Sequence, residues 1–217
     1  MKITWLGHST FKIESSKTIV IDPHDPAFGA LPAELTADIV TVSHSHHDHN
    51  YIEGVGGSPE VVDKAGNYDF ENIKIKGVPV FHDQVQGKER GGNIVFVFEI
   101  EGLRLCHLGD LGHLLNQTQL AAIGPVDILM IPVGGFYTID ADQAVAVVHQ
   151  IQPKVVLPMH FKSASSPADI PPTGAPLGPI ATVDGFIQSL GWQVRQVSEL
   201  EIDNNINELS ASVIIFS

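Results

Sequence analysis

Only one cysteine, Cys106, occurs in the 217 residues. No internal disulfide can form, a cysteine-based zinc finger is excluded, and a reducing, cytoplasmic setting is expected. Cations are scarce too. Lys plus Arg total 12 against 25 Asp plus Glu, a formal net charge of −13 with histidine neutral. Such a chain lacks the cations that neutralise phosphates, so neither a nucleic-acid partner nor an anionic membrane is expected. A small anionic substrate held by a local positive group is not excluded. No apolar run reaches the roughly 18 residues of a membrane span. No signal core is expected at the start either, because Gly7 and His8 follow the first six residues. Low-complexity tracts and short-period repeats are missing. The length suits a single domain, residues 1–217, with a sizeable core. What the chain does have is histidine, 11 in all, with His44, His46, His47 and His49 inside six positions.

The first 21 residues read as strands, Lys2–Leu6, Thr10–Glu14 and Lys17–Ile21, rich in Ile, Val, Thr and Phe and parted by Gly7 and Ser15-Ser16. Ala37–Val42 is a further strand that runs straight into the histidine cluster. Ile73–Phe81 alternates, although Pro79 weakens its end. Asn93–Ile100 and Leu103–His107 form a hairpin about Glu101-Gly102. The rhythm then changes. Asn116–Ile123 is a short helix stopped by Gly124-Pro125, and Asp127–Ile131 is a buried strand. Ala141–Ile151 carries an apolar stripe behind Asp140, a candidate N-cap. The strand Val155–Leu157 leads into Pro158-Met159-His160. Ser163–Pro179 is Ser/Pro/Gly-rich and patternless, an irregular loop long enough to suspect a lid. A helix over Thr182–Leu190 and strands from Gln193 onward close the chain. Strands, then helix–strand alternation, then strands suggest sheets covered by helices, an α+β arrangement with polar clusters at strand ends.

Ser43-His44-Ser45-His46-His47-Asp48-His49 is the strongest chemical signal. Neutral imidazoles and carboxylates are ligands for zinc, manganese, iron or nickel. His44 and His46 are two apart and share a side of an extended segment. Asp48 and His49, past a bend, can face a second ion, and His47 alternates away.

This run matches H-x-H-x-D-H and resembles the central motif of the metallo-β-lactamase fold superfamily. Asp22, ending Thr18-Ile19-Val20-Ile21, resembles the aspartate that orients the metal loop. His82 in Val80-Phe81-His82-Asp83, Asp110 in His107-Leu108-Gly109-Asp110 and His160 in Leu157-Pro158-Met159-His160 resemble the later motifs. The resemblance spans residues 1 to 162. Leu6-Gly7-His8-Ser9, His-x-Gly-Asp at 107–110 and Pro-x-His at 158–160 resemble the branch that contains ascorbate-6-phosphate lactonase and predicted Zn-dependent hydrolases. One departure is Leu111, where many relatives have Thr. The resemblance implies a four-layer αββα sandwich and a binuclear site. His44, His46 and His82 would hold one ion, Asp48, His49 and His160 the other, with Asp110 bridging. The ions would lie roughly 3.5–4 Å apart about a hydroxide that attacks a small anionic ester or lactone. A phosphodiester substrate and a non-catalytic metal-binding role are the alternatives.

Asp48, Asp110 and His107 are the candidate catalytic residues. His107 is the rival of His82 as a ligand and otherwise hydrogen-bonds a ligand from behind. His8 is either a group near the ions or substrate, or a structural histidine. Arg90, in Arg90-Gly91-Gly92-Asn93, and Lys162 are candidate anion clamps, against the reading of solvated turns. Gly134-Gly135-Phe136-Tyr137 could wall a pocket or merely precede the Asp140 cap. His113 is either pocket-lining or superficial, His24 and His149 are expected at the surface, and Cys106 is expected to be buried.

Overall fold

In the computed structural model, residues 1–163, 180–202 and 211–217 are described. Apart from Ser163, the expected 163–179 loop lies outside them. Two mixed sheets stack face to face. The first contains β1 (Lys2–Gly7), β2 (Thr10–Glu14), β3 (Thr18–Ile21), β4 (Ile39–Thr41) and β5 (Glu60–Val62). The second is built from β6 (Gly66–Phe70), β7 (Ile73–Phe81), β8 (Gly92–Ile100), β9 (Leu103–His107), β10 (Ile128–Pro132), β11 (Val155–Met159) and β12 (Gln193–Val197). Of the last two strands, β13 (Leu200–Glu201) edges the first sheet beside β1, and β14 (Ser212–Phe216) sits between β12 and β11 in the second.

Alternation explains the shared core. On β2, Phe11 and Ile13 are fully buried while Lys12 and Glu14 turn outward. They meet Ile73, Ile75, Phe96, Phe98 and Met130 from the opposite sheet. Burying each such side chain stabilises the fold by roughly 1.5–3 kcal/mol. Among the described residues three helices cover the outer face of the second sheet: α1 (Gln117–Ile123), α2 (Ala141–Ile151) and α3 (Asp184–Leu190). Asn116 and Asp140 cap α1 and α2, each in a capping box with the glutamine three residues on. The outer layer on the first sheet is thinner. Val20, Val40 and Val42 pack there against Leu35, Ala37 and Val55, in segments that carry short 3-10 turns.

Pro79 lies inside the nine-residue β7. Pairing with β6 ends at Gly77, so the missing proline N–H faces no neighbour. Glu101 and Gly102 both have positive φ (52° and 78°), as a tight hairpin turn requires. Among the described residues no helix is long and apolar enough to cross a membrane.

Candidate metal centre

Strand direction collects the chemistry on one rim. β1 and β3 are both antiparallel to β2, so they run the same way, and β4 runs parallel to β3. In the second sheet β9, β10 and β11 are parallel, and β7 runs with them because both β7 and β9 oppose β8. His8 follows β1, Asp22 follows β3, the histidine loop follows β4, His82 follows β7, Asp110 lies just past β9 and His160 follows β11. Backbone bonds tie the two rims together: His160 N–H to His8 O (3.1 Å) and Ile94 N–H to Ser43 O (2.9 Å).

The rim gathers imidazoles and carboxylates into two donor sets. The nitrogens of His44, His46 and His82 lie within 4.8 Å of one another. So do donor atoms of His8, Asp48, His49 and His160. The bend between them is closed by His49 N–H to His46 O (3.0 Å). Asp110 stands between the sets. Its Oδ2 is 3.1 Å from His82 Nε2, 3.3 Å from His160 Nε2 and 3.9 Å from His44 Nε2, and its Oδ1 is 3.2 Å from His49 Nε2.

Asp22 is the anchor behind this array. Its Oδ1 accepts from Ser43 N–H (2.8 Å), and its Oδ2 accepts from Ser43 Oγ (2.5 Å) and His49 Nδ1 (2.8 Å). Since Ser43 Oγ donates to Asp22, it accepts from His44 Nδ1 (2.9 Å). One carboxylate thus fixes Nδ1–H on both rings and turns Nε2 of each toward the cluster.

His107 has no such freedom. Its Nε2–H donates to Ser9 O (2.9 Å) and its Nδ1 accepts from Gly109 N–H (3.1 Å). Both nitrogens are occupied, so no lone pair faces an ion. Its task is to shape the turn carrying Asp110, together with Asn93. Asn93 accepts from Asp110 N–H (3.1 Å) and donates to Leu108 O (2.8 Å). A Cβ at Gly109 (φ +54°) would lie 2.3 Å from Asn93 Oδ1, so only glycine fits.

The electrostatics suit cations. Asp22, Asp48 and Asp110 come together on this rim, and Asp22 and Asp110 are fully buried. Burial opposes their ionisation, yet neighbouring imidazoles hold all three below the usual carboxylate range. Burial likewise opposes charge on His49 and His160, but Asp110 raises both. Protons there supply the positive charge that divalent ions would replace. His44 behaves oppositely: burial, then His49, push it down to about 3, leaving a neutral ligand. His44 Nε2, His49 Nε2 and Asp110 Oδ1 are buried without a hydrogen bond. Unsatisfied donors and acceptors of this kind are costly unless something binds them. The residues therefore fit a metal centre.

Comparison with known proteins agrees. A model of the beta-lactamase superfamily domain matches residues 2–160. The chain belongs to the metallo-β-lactamase superfamily. A UPF0173 metal-dependent hydrolase of Thermococcus onnurineus is 31% identical over 193 residues, covering 75% of this chain and 85% of that protein. A crystal structure of a proposed Zn-dependent hydrolase of the superfamily from Thermotoga maritima superposes with TM-score 0.79 at 39% identity, over 100% of this chain and 99% of that one. Igni18, a metallo hydrolase of Ignicoccus hospitalis, shares the fold at TM-score 0.65 and 21% identity, over 88% of this chain and 90% of its own.

Within this metallo-β-lactamase fold the remaining candidates separate. Leu111 is fully buried in the core under the helices. Its side chain packs there, whereas the neighbouring Asp110 carboxylate faces the cluster. His24 is not at the surface but fully buried, its Nδ1 2.6 Å from Thr10 Oγ1. It fills space left by Gly7 and Gly29, where a Cβ would lie 3.5 Å and 3.3 Å from its ring. His113 braces a loop, donating from Nδ1 to Leu114 O (2.7 Å) and accepting Phe81 N–H (3.2 Å). His47 and His149 are exposed, and Cys106 is buried with its thiol pushed up. Lys162 is exposed. The Arg90 guanidinium lies 5.7 Å from the centre of the Tyr137 ring, beside the exposed Phe136. Asp83 and Asn93 were given no role by sequence reasoning. Asp83 gathers backbone N–H bonds from Val85, Gly87, Glu89 and Arg90 at 2.7–3.0 Å and so shapes the loop after His82. Asp followed by Gly87, Gly91 and Gly92 was the available signal.

Proposed function

We propose that this metal-dependent hydrolase of the metallo-β-lactamase superfamily holds two divalent ions and cleaves a small anionic ester or lactone, phosphorylated or carboxylated. Zinc is the first choice, with manganese, iron or nickel compatible with the same donors. The observation that carries this reading is Asp110, one carboxylate within 3.3 Å of His82 from one donor set and His160 from the other. Bound there, the ions would polarise the scissile oxygen and acidify a water nucleophile toward a pKa of about 7.

The chain's own residues do the rest. His44, His46 and His82 take one ion, and Asp48, His49 and His160 the other. Asp110 would offset the repulsion between two dications held on either side of it. Asp22 holds His49 directly and His44 through Ser43, so neither ring must reorganise as an ion enters. Arg90 binds the substrate's anionic group. Its loop is fixed by Asp83, whose carboxylate, despite burial, is held down to about 2 by the backbone N–H groups it accepts. In a chain with only 12 Lys and Arg, a guanidinium on a rigid loop directly after a metal-site histidine is the favoured anion contact. The single buried cysteine supports a cytoplasmic setting.

The test is a panel of neutral, carboxylated and phosphorylated esters and lactones, with bis-p-nitrophenyl phosphate as the diester. Anionic esters or lactones should turn over, EDTA should stop the reaction, and added metal should restore it. Arg90→Gln should raise KM about tenfold or more for anionic substrates and leave neutral ones unchanged. Turnover of the diester alone would overturn the substrate class. Inactivity on the whole panel with metal loaded would favour a metal-binding role without catalysis.

A further inference from the structure

We propose that His8 is an additional ligand of the ion held by Asp48, His49 and His160, an inference that rests on the metal-dependent reading above. The pattern Asp48, His49, His160 and Asp110 accounts for the second donor set without any residue from the turn after β1. The geometry adds one. His8 Nε2 lies 3.0 Å from Asp48 Oδ2, and that oxygen is 3.6 Å from His49 Nε2. Donor atoms of His8, Asp48, His49 and His160 all fall within 4.8 Å of one another, close enough to converge on one ion. The His8 ring centre is 4.3 Å from that of His160 and 5.3 Å from that of His49.

The backbone is built to hold this ring in place. The β1–β2 register shifts between Trp5 and Gly7, an irregularity that re-aims the next side chain. His8 then adopts φ +50°, rare outside glycine, and His160 adopts the same φ of +50°. Strain of this kind persists only where the surroundings enforce it. Here the His8 carbonyl accepts from Trp5 Nε1 (2.9 Å) and from His160 N–H (3.1 Å). Two adjacent residues with strained backbones are thus pinned to each other.

With His8 included, each donor set offers three imidazole nitrogens: His44, His46 and His82 on one side, His8, His49 and His160 on the other. The second site then differs from the first by the added carboxylate of Asp48. The rival role is a hydrogen-bond donor that only orients Asp48.

Zinc binding to wild type, His8→Ala and His8→Gln, measured by chelator competition, separates the two. Glutamine can donate to Asp48 but is a poor zinc ligand. The proposal expects both variants to keep one tight ion and to bind the second at least about 100-fold more weakly. It expects the ¹⁵N resonance of His8 Nε2 to move to a coordinated position when wild type is loaded. Wild-type affinity in both variants, or rescue by glutamine alone, would overturn the proposal. If wild type takes only one ion, the two-ion reading fails by itself. The His8 resonance still decides: a coordinated shift keeps the ligand assignment, and an unmoved resonance rejects it.

Discussion

The two donor sets lie on either side of one carboxylate, yet they are braced differently. In the set formed by His44, His46 and His82, Ser43 orients His44, and His46 is exposed. In the set around Asp48, His49 and His160, bracing is direct and dense. Asp22 holds His49, His8 contacts Asp48, and the His8 carbonyl holds the backbone of His160. Fixed donors lose less freedom when they bind, so the second set is the better prepared of the two. The comparison teaches that ligand count alone does not rank two sites. The groups behind the ligands do, and here they come from β1, β3 and the rim of the opposite sheet.

Breaking the element common to both sets has the largest effect. Asp110→Asn keeps the shape and removes the charge that separates two dications. It should fold normally, retain the ion of the Asp48/His49/His160 set better than the other, and lose more than about 10²-fold in kcat. Metal content and rate on one preparation check this; two tight ions with near-normal turnover would show that Asp110 merely shapes its turn. Asp22→Asn comes next. Its carboxylate serves His49 directly and His44 through Ser43, so both ions should bind about 10–100-fold more weakly. Ser43→Ala should weaken chiefly the ion of His44, and equal weakening of both would refute the split. Titration with a fluorescent zinc chelator reads both variants.

The smallest effect concerns His24, whose ring lies 6.4 Å from that of His8 behind the second set. Burial, then His8, lowers its pKa from 6.5 to about 4. A depressed histidine favours the fold as a neutral ring, so its contribution is complete above pH 6.5 and is eroded as pH falls through 4. His24→Gln should cost about 1–2 kcal/mol at pH 8 through the lost Thr10 contact. The gap to wild type should narrow toward pH 5. Urea melts of both proteins at the two pH values test this, and a gap that widens on acidification would contradict the assignment.

Much of this was legible in the sequence because it is local. H-x-H-x-D-H sits in six consecutive residues, His44–His49, and Asp22, His82, Asp110 and His160 each end or follow an apolar strand. The cap at Asp140 is equally local, confirmed by the glutamine three residues later. What was not legible depends on distant partners. The tie between His107 and Ser9 O spans 98 positions, and nothing near His107 announces that both nitrogens are occupied. His24 sits in a polar, proline-flanked stretch that reads as surface, but Thr10 and the gaps at Gly7 and Gly29 bury it. The strands β5 and β6 at the sheet edges are harder to read because both are short and largely exposed or half-buried; β5 buries only Val62, and β6 alternates only between half-buried and exposed positions. Asn93 and Asp83 act on the N–H groups of turns whose shape exists only in the fold.

The account stands most directly on two ions sharing Asp110. Crystals of zinc-loaded protein, measured on either side of the zinc absorption edge, test this in a single experiment. Two anomalous peaks about 3.5–4 Å apart are expected, one beside His44, His46 and His82, the other beside Asp48, His49 and His160, with Asp110 touching both. A single peak at full loading, or two peaks that Asp110 does not join, would contradict it.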